Sequence, residues 1–264
     1  MKLGFIGCGN MASAIIGGVE KSGLVKPEDL MGSAKTDATL ARVRGEFGIG
    51  TTRNNRKVAL FADVLILAVK PAVMADVIGG IRDAVDERTV IVSLAAGRTL
   101  SWFAEQFGRP LKIVRTMPNT PALVGEGMTT LCPNESVTEE DLAAVRKIFE
   151  SCGKTEVLPE HLIDAATSLG GSSPAYVFMF MEALADAAVL QGMPRASAYR
   201  MAAQTVLGSA KLMLETGKHP GELKDMVCSP GGTTIEGVRV LEKRGMRSAV
   251  IEALAACGEQ AKKL

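Results

Sequence analysis

Two stretches of this sequence carry residue types whose spacing implies chemistry. In the first, Gly7-Cys8-Gly9-Asn10-Met11-Ala12 joins an apolar, strand-like run at residues 2–6 to a helical pattern beginning at Ala12. Gly7 permits a tight turn, Gly9 lets the backbone approach a phosphate, and Ala12 is small enough for helix and strand to pack closely. The free N–H groups and partial positive charge at a helix start favour a pyrophosphate. The stretch therefore reads as a dinucleotide-binding loop, with an ordinary glycine turn as the alternative.

Which dinucleotide depends on the end of the second strand. A carboxylate there accepts a ribose hydroxyl, whereas neutral or basic donors suit a 2′-phosphate. The segment Gly32-Ser33-Ala34-Lys35-Thr36-Asp37 offers Ser33, Lys35 and Thr36 before its first acid, Asp37. NADP is favoured over NAD, although Lys35 also reads as a solvated lysine at a helix start. Further along, Val69-Lys70-Pro71 and Ala95-Ala96-Gly97 end two apolar strands. The carboxyl ends of strands line the ligand crevice of open α/β sheets, so Lys70 and Ala96 belong near the nicotinamide half. Lys70 suits orienting a ribose or attracting a carboxylate, and Pro71 equally reads as the end of its strand.

The second stretch is Cys228-Ser229-Pro230-Gly231-Gly232-Thr233-Thr234-Ile235. Proline and two glycines make a turn, and Thr233 and Thr234 open a helix whose first N–H groups have no partner within it. Such a start seats a small carboxylate with hydroxyls beside it. Plain capping by a threonine is the competing reading.

These stretches need elements to hold them. The chain has 264 residues, of which 47% are hydrophobic, enough for two domains with cores of their own. A formal net charge of +1 gives no electrostatic reason to expect nucleic acid or an anionic membrane as partner. No signal peptide is expected ahead of the first strand. The longest apolar stretch, residues 175–190, is shorter than the ~20 residues of a membrane span and contains Glu182 and Asp186. A soluble, cytoplasmic protein is expected. The five cysteines are scattered, with no C-x-x-C pair, and imply neither a disulfide framework nor a metal site. His161 and His219 each lie near a proline and a helix start, and read as capping or surface residues.

The first part alternates strands with helices, the pattern of a doubly wound parallel sheet. Strands are expected at residues 2–6, 30–32, 64–69, 90–94, 112–116 and 128–132. Beyond about Glu160 strand signals vanish. Helices are expected at 174–191, with Ser173 as N-cap, at 194–215, at 219–227, and on both sides of Gly245. The expected division is a dinucleotide-binding domain at 1–158 and an all-helical domain at 159–264. The helix from Pro174 is apolar almost all round, which calls for burial on every side. A lone domain of ~100 residues has little room for that, so a homodimer, or a larger assembly built from dimers, is expected.

Gly7-x-Gly9-x-Met11-x-x-Ala14, Ala68-Val69-Lys70-Pro71, Ala95-Ala96-Gly97, Met117-Pro118-Asn119-Thr120-Pro121, Pro174-Ala175-Tyr176 and Ser229-Pro230-Gly231-Gly232-Thr233-Thr234 occur in this order. Together they make the whole chain resemble the pyrroline-5-carboxylate reductase family. The resemblance implies a Rossmann domain, a helical dimerisation domain, and reduction of a cyclic imine to proline with NADPH. It implies cofactor contacts at Cys8, Asn10, Met11, Ser33, Asn55, Val69, Lys70 and Ala96, to which the loop and strand-end readings add Gly7, Gly9, Lys35 and Pro71. Substrate contacts are implied at Thr233, Thr234 and Glu160, with Thr234 facing the imine nitrogen, and the turn itself adds Ser229 and Gly232 as candidates. The chain departs from the family at Gly170-Gly171-Ser172-Ser173, usually Ser-Gly-Ser-Gly, and at Met226, often asparagine.

Three other readings share these features. A β-hydroxyacid dehydrogenase would want a lysine base on the helical domain, for which Lys211 is the candidate. A reductase of a related cyclic imine, or a non-catalytic NADP-binding sensor, fits the same glycine loop.

Overall fold

The computed structural model describes residues 1–262. These divide into two compact units, one of Met1–Ser172 together with the described residues from Cys257 onward, and one of Ser173–Ala256.

Eight strands of the first unit form one sheet: β1 (Leu3–Ile6), β2 (Leu30–Ser33), β3 (Gly50–Thr52), β4 (Val64–Leu67), β5 (Val90–Ser93), β6 (Lys112–Met117), β7 (Gly127–Pro133) and β8 (Gly153–Val157). Their order across the sheet is β3-β2-β1-β4-β5-β6-β7-β8. Helices α1 (Asn10–Lys21), α2 (Asp37–Phe47), α3 (Asn55–Phe61), α4 (Pro71–Ile81), α5 (Leu100–Phe107), α6 (Glu139–Glu150) and the single turn α7 (Ile163–Ala166) complete the unit. Central strands β1, β4 and β5 are buried along their whole length, as parallel strands covered on both faces must be. Alternation divides them between two cores. Phe5, Ile66 and Val92 join Ile15, Ile16 and Phe149 on one face. Ile6, Leu65 and Ile91 join Met74, Ile78 and Phe103 on the other.

Two strands had no sequence signal. β3 is three residues long, and β8 (Gly-Lys-Thr-Glu-Val) is an edge strand with Lys154 and Glu156 exposed. One pairing also departs from a purely parallel sheet, since β7 runs antiparallel to β6. The connection from Met117 to Gly127 holds only a 3₁₀ turn, Thr120–Val124. A covered parallel crossover takes about a dozen residues or more, so the chain must return antiparallel.

The second unit holds α8 (Ser173–Leu190), α9 (Arg195–Thr216), α10 (Pro220–Val227), α11 (Thr233–Lys243) and most of α12 (Met246–Ala261). Gly217, at φ 63°, terminates α9 in the left-handed conformation that favours glycine. His219 caps α10, its Nδ1 accepting from Gly221 N at 3.1 Å.

The start of α8 corrects the expectation that Ser173 is an N-cap. Helical backbone runs through Glu160–Leu190, with a π-helical segment at Thr167–Ser172 leading straight into α8. Pro174 has no N–H, so the carbonyl of Gly170, four residues earlier, loses its helical donor. Asn119 supplies one instead, its Nδ2 donating to Gly170 O at 3.0 Å. The continuous run is long and apolar enough, by length and composition, to cross a membrane, unlike the shorter stretch read from the sequence. Most of it is exposed in the single chain: of the residues of α8, only Ala185 is buried, and Phe178 and Met179 are 61% and 66% exposed.

Candidate active site

The carboxyl ends of β1, β2 and β4 meet where the strand order reverses. Gly7 N donates to Ser33 O at 2.9 Å, and Ala68 N to Ile6 O at 2.8 Å. Gly7 has φ 96°, and a Cβ there would lie 2.6 Å from Ala68 O, so only glycine fits. The N-cap of α1 is Gly9, with no side-chain cap and no acidic residue in the first turn. A Cβ on Gly9 would meet nothing within 4 Å, so the helix start opens onto free space. Gly9 and Asn10 are exposed, Met11 is half-buried against the core, and Ala12 is fully buried. Open donors with a close-packed helix behind them fit a dinucleotide pyrophosphate.

Cys8 is not a reactive thiol. It is 2% exposed, and burial pushes its thiol up to about 11, only partly offset by the nearby Arg42 guanidinium. Arg42, which had no sequence signal, donates to Cys8 O and to Ser13 Oγ, each at 3.1 Å, tying α2 to the loop. Beyond the carboxyl ends of β4 and β5, Val69 and Ala96 are half-buried and Lys70 is exposed. Lys70 is the N-cap residue of α4, and Pro71 occupies the first turn, where a missing N–H costs nothing.

The expected 2′-phosphate donors separate in the structure. Ser33 is 1% exposed, and its hydroxyl donates to Asn55 Oδ1 at 2.7 Å. Thr36 caps α2, accepting from Thr39 N at 3.3 Å. Lys35 is exposed and lines a cleft of about 650 Å³ together with Arg53, Asn55 and Arg56. The two arginines were missed from sequence because the turn that carries Arg53 and the helix α3 that carries Arg56 follow a strand too short to register.

Glu160 is positioned within the first unit. Its Oε1 accepts from Arg115 Nη1 at 2.5 Å and from Leu100 N, the first residue of α5, at 2.7 Å. Arg115 is 6% exposed, so the carboxylate neutralises a buried cation as well as satisfying a helix N-terminus.

In the second unit, Ser229 to Gly232 form a type II turn, with Pro230 at its second position and Gly231 at φ 66° at its third. Gly232 N donates to Ser229 O at 3.0 Å, and a Cβ on Gly232 would run into Ser229 Oγ. Gly232, rather than a threonine, is then the N-cap of α11, and no side chain caps the helix. Thr233 is exposed and Thr234 half-buried in the first turn, with both hydroxyls free of capping duty. Lys211 is 69% exposed and pairs with Glu215 at 3.6 Å, a solvated pair on the surface of α9.

A sheet in this order, with a glycine loop and an open helix start at its switch point, defines a dinucleotide-binding protein of the Rossmann type. Comparison with known proteins narrows the class. Residues 160–264 match the family model for pyrroline-5-carboxylate reductase dimerisation, and residues 2–97 match that for NADP oxidoreductase, coenzyme F420-dependent. The chain is 53% identical over 263 residues to the pyrroline-5-carboxylate reductase of Escherichia coli K12, covering 100% of this chain and 98% of that one. The structure of a pyrroline-5-carboxylate reductase from Coxiella burnetii superposes with TM-score 0.94 at 37% identity, covering 99% and 97% of the two chains. That of the Plasmodium falciparum enzyme with NADP bound gives 0.88 at 34% identity, covering 100% and 97%. The chain belongs to the pyrroline-5-carboxylate reductase family.

Proposed function

We propose that this chain reduces 1-pyrroline-5-carboxylate to L-proline with NADPH. The uncapped start of α11 behind the Ser229–Gly232 turn carries this reading in a chain of this family: it offers backbone N–H groups and two hydroxyls to a small carboxylate. The cofactor supplies the hydride, so the protein needs no nucleophile of its own.

The residues then divide the remaining work. Gly7, Gly9, Asn10 and Met11 receive the pyrophosphate at the start of α1, where Cys8 and Ala12 pack the loop down. Asn55, steered by Ser33, and Lys35 serve the ribose end. Val69, Lys70, Pro71 and Ala96 border the nicotinamide. Thr233 and the turn residues Ser229 and Gly232 seat the substrate carboxylate. Thr234 donates to the imine nitrogen and relays a proton to it, an orienting role suited to a weakly acidic hydroxyl. Glu160 keeps the rim of the site in place through Arg115 and α5. The working division is a dinucleotide-binding domain at 1–158 and a substrate and dimerisation domain at 159–264, supported by the family match over 160–264.

The chain works as a homodimer in this reading, in the cytoplasm. The exposed apolar circumference of α8 and the dimerisation family over the same residues support that assembly. The lysine-base chemistry of a β-hydroxyacid dehydrogenase has no support at Lys211. Steady-state turnover with 1-pyrroline-5-carboxylate, its six-membered homologue and both nicotinamide cofactors tests the proposal. The five-membered imine with NADPH should give the highest kcat/KM, and no turnover with it would refute the assignment.

A further inference from the structure

The charge that distinguishes NADPH from NADH is one 2′-phosphate. Of the donors expected for it on the second strand, Ser33 is spent on Asn55 and Thr36 on capping α2. The structure brings other charge to the same place. Arg53, in the turn between β3 and α3, donates from Nη2 to the carbonyl of Lys35 at 2.9 Å. Its Nη1 lies 3.5 Å from Asp37 Oδ2. The guanidinium is thereby anchored across the loop that leaves β2, the loop that carries the ribose-binding acid in NAD sites.

Two consequences follow. Asp37 is the first carboxylate after β2, and Arg53 neutralises it at the one place where its charge would repel a phosphate. The same arginine lines the cleft with Lys35 and Arg56, neither of which makes a side-chain ion pair among the described residues. Asp76, on α4, is the acid among the residues lining this cleft. A planar guanidinium offers a phosphate paired, charge-assisted hydrogen bonds. The Arg53–Asp37 pair is 64% and 80% exposed, so it does little for stability, and its anchoring geometry calls for another explanation.

We infer that Arg53 is the specificity-determining residue for the 2′-phosphate, acting with Lys35 and Arg56. This rests on the NADPH reading above and assigns its selectivity to the β3–α3 turn instead of to the strand β2 hydroxyl.

The test compares adenosine 2′,5′-bisphosphate with adenosine 5′-monophosphate by isothermal calorimetry on the wild type, Arg53→Gln and Arg53→Lys. A control variant, Arg88→Gln, removes a surface cation paired with Asp86 outside this cleft. Arg53→Gln should bind the bisphosphate about 10-fold or more weakly and leave the monophosphate within about twofold, with Arg53→Lys in between. The kcat/KM ratio of NADPH to NADH should fall by a similar factor. Arg88→Gln should keep wild-type discrimination. Undiminished discrimination in Arg53→Gln would overturn the role of Arg53 and leave the NADPH reading standing. A wild type that does not distinguish the two fragments would overturn both. Because each comparison is a ratio within one variant, partial loss of folded protein does not alter it.

Discussion

Ser33 Oγ donates a hydrogen bond of 2.7 Å to Asn55 Oδ1, joining the end of β2 to the first residue of α3. The serine is buried, so its hydroxyl acts through a second side chain, that of Asn55, which lines the cleft. Ser33→Ala should therefore weaken NADPH binding by roughly two- to tenfold, the worth of one neutral hydrogen bond. Fluorescence titration of NADPH measures this directly. Unchanged affinity would mean that Asn55 needs no such steering.

Thr234→Val keeps the side chain's shape and removes its hydroxyl. Losing a hydrogen bond to a charged transition state costs about 1.5–3 kcal/mol, or roughly 10- to 150-fold in kcat/KM for the imine. NADPH affinity should stay within about twofold. Wild-type kinetics in Thr234→Val would remove this residue from the chemistry.

Glu160→Gln separates two roles for one carboxylate. Leaving Arg115 buried without its counter-charge should destabilise the fold by about 1–3 kcal/mol, a value reduced for the partial exposure of Glu160. For a chain of this size that is a fall in Tm of about 2–10 °C by calorimetry. A raised substrate KM with unchanged Tm would instead make Glu160 a substrate contact with no structural duty.

Much of the first unit was legible because its central strands are unbroken apolar runs bounded by turn residues. The turn at Gly7 and the close packing of Ala12 could be read for the same reason, since both lie within one local segment. What escaped were relations across the sequence. Arg115 and Glu160 are 45 positions apart, and Arg53 and Lys35 are 18 apart, on elements whose adjacency only the sheet order creates. The helix before Pro174 was hidden differently. Proline ordinarily marks a first turn, and nothing local reveals that Asn119 would satisfy the carbonyl it orphans.

Phe178→Asp places a charge on the apolar circumference of α8, where the side chain is 61% exposed in the single chain. Burying an unpaired carboxylate at a subunit contact costs several kcal/mol. The variant should sediment as a monomer and lose most of its turnover while retaining its helical circular dichroism. A dimeric, active Phe178→Asp enzyme would place the contact on another face.

Hydride should pass from NADPH to the imine carbon of a five-membered ring held at the start of α11. The most direct measurement supplies the chain with 1-pyrroline-5-carboxylate and NADPH deuterated on either face of the nicotinamide C4, and examines the product by mass spectrometry. One of the two labelled cofactors should yield L-proline carrying a single deuterium at C5, in step with cofactor oxidation. Cofactor oxidation without proline, or proline unlabelled from both cofactors, would contradict the account.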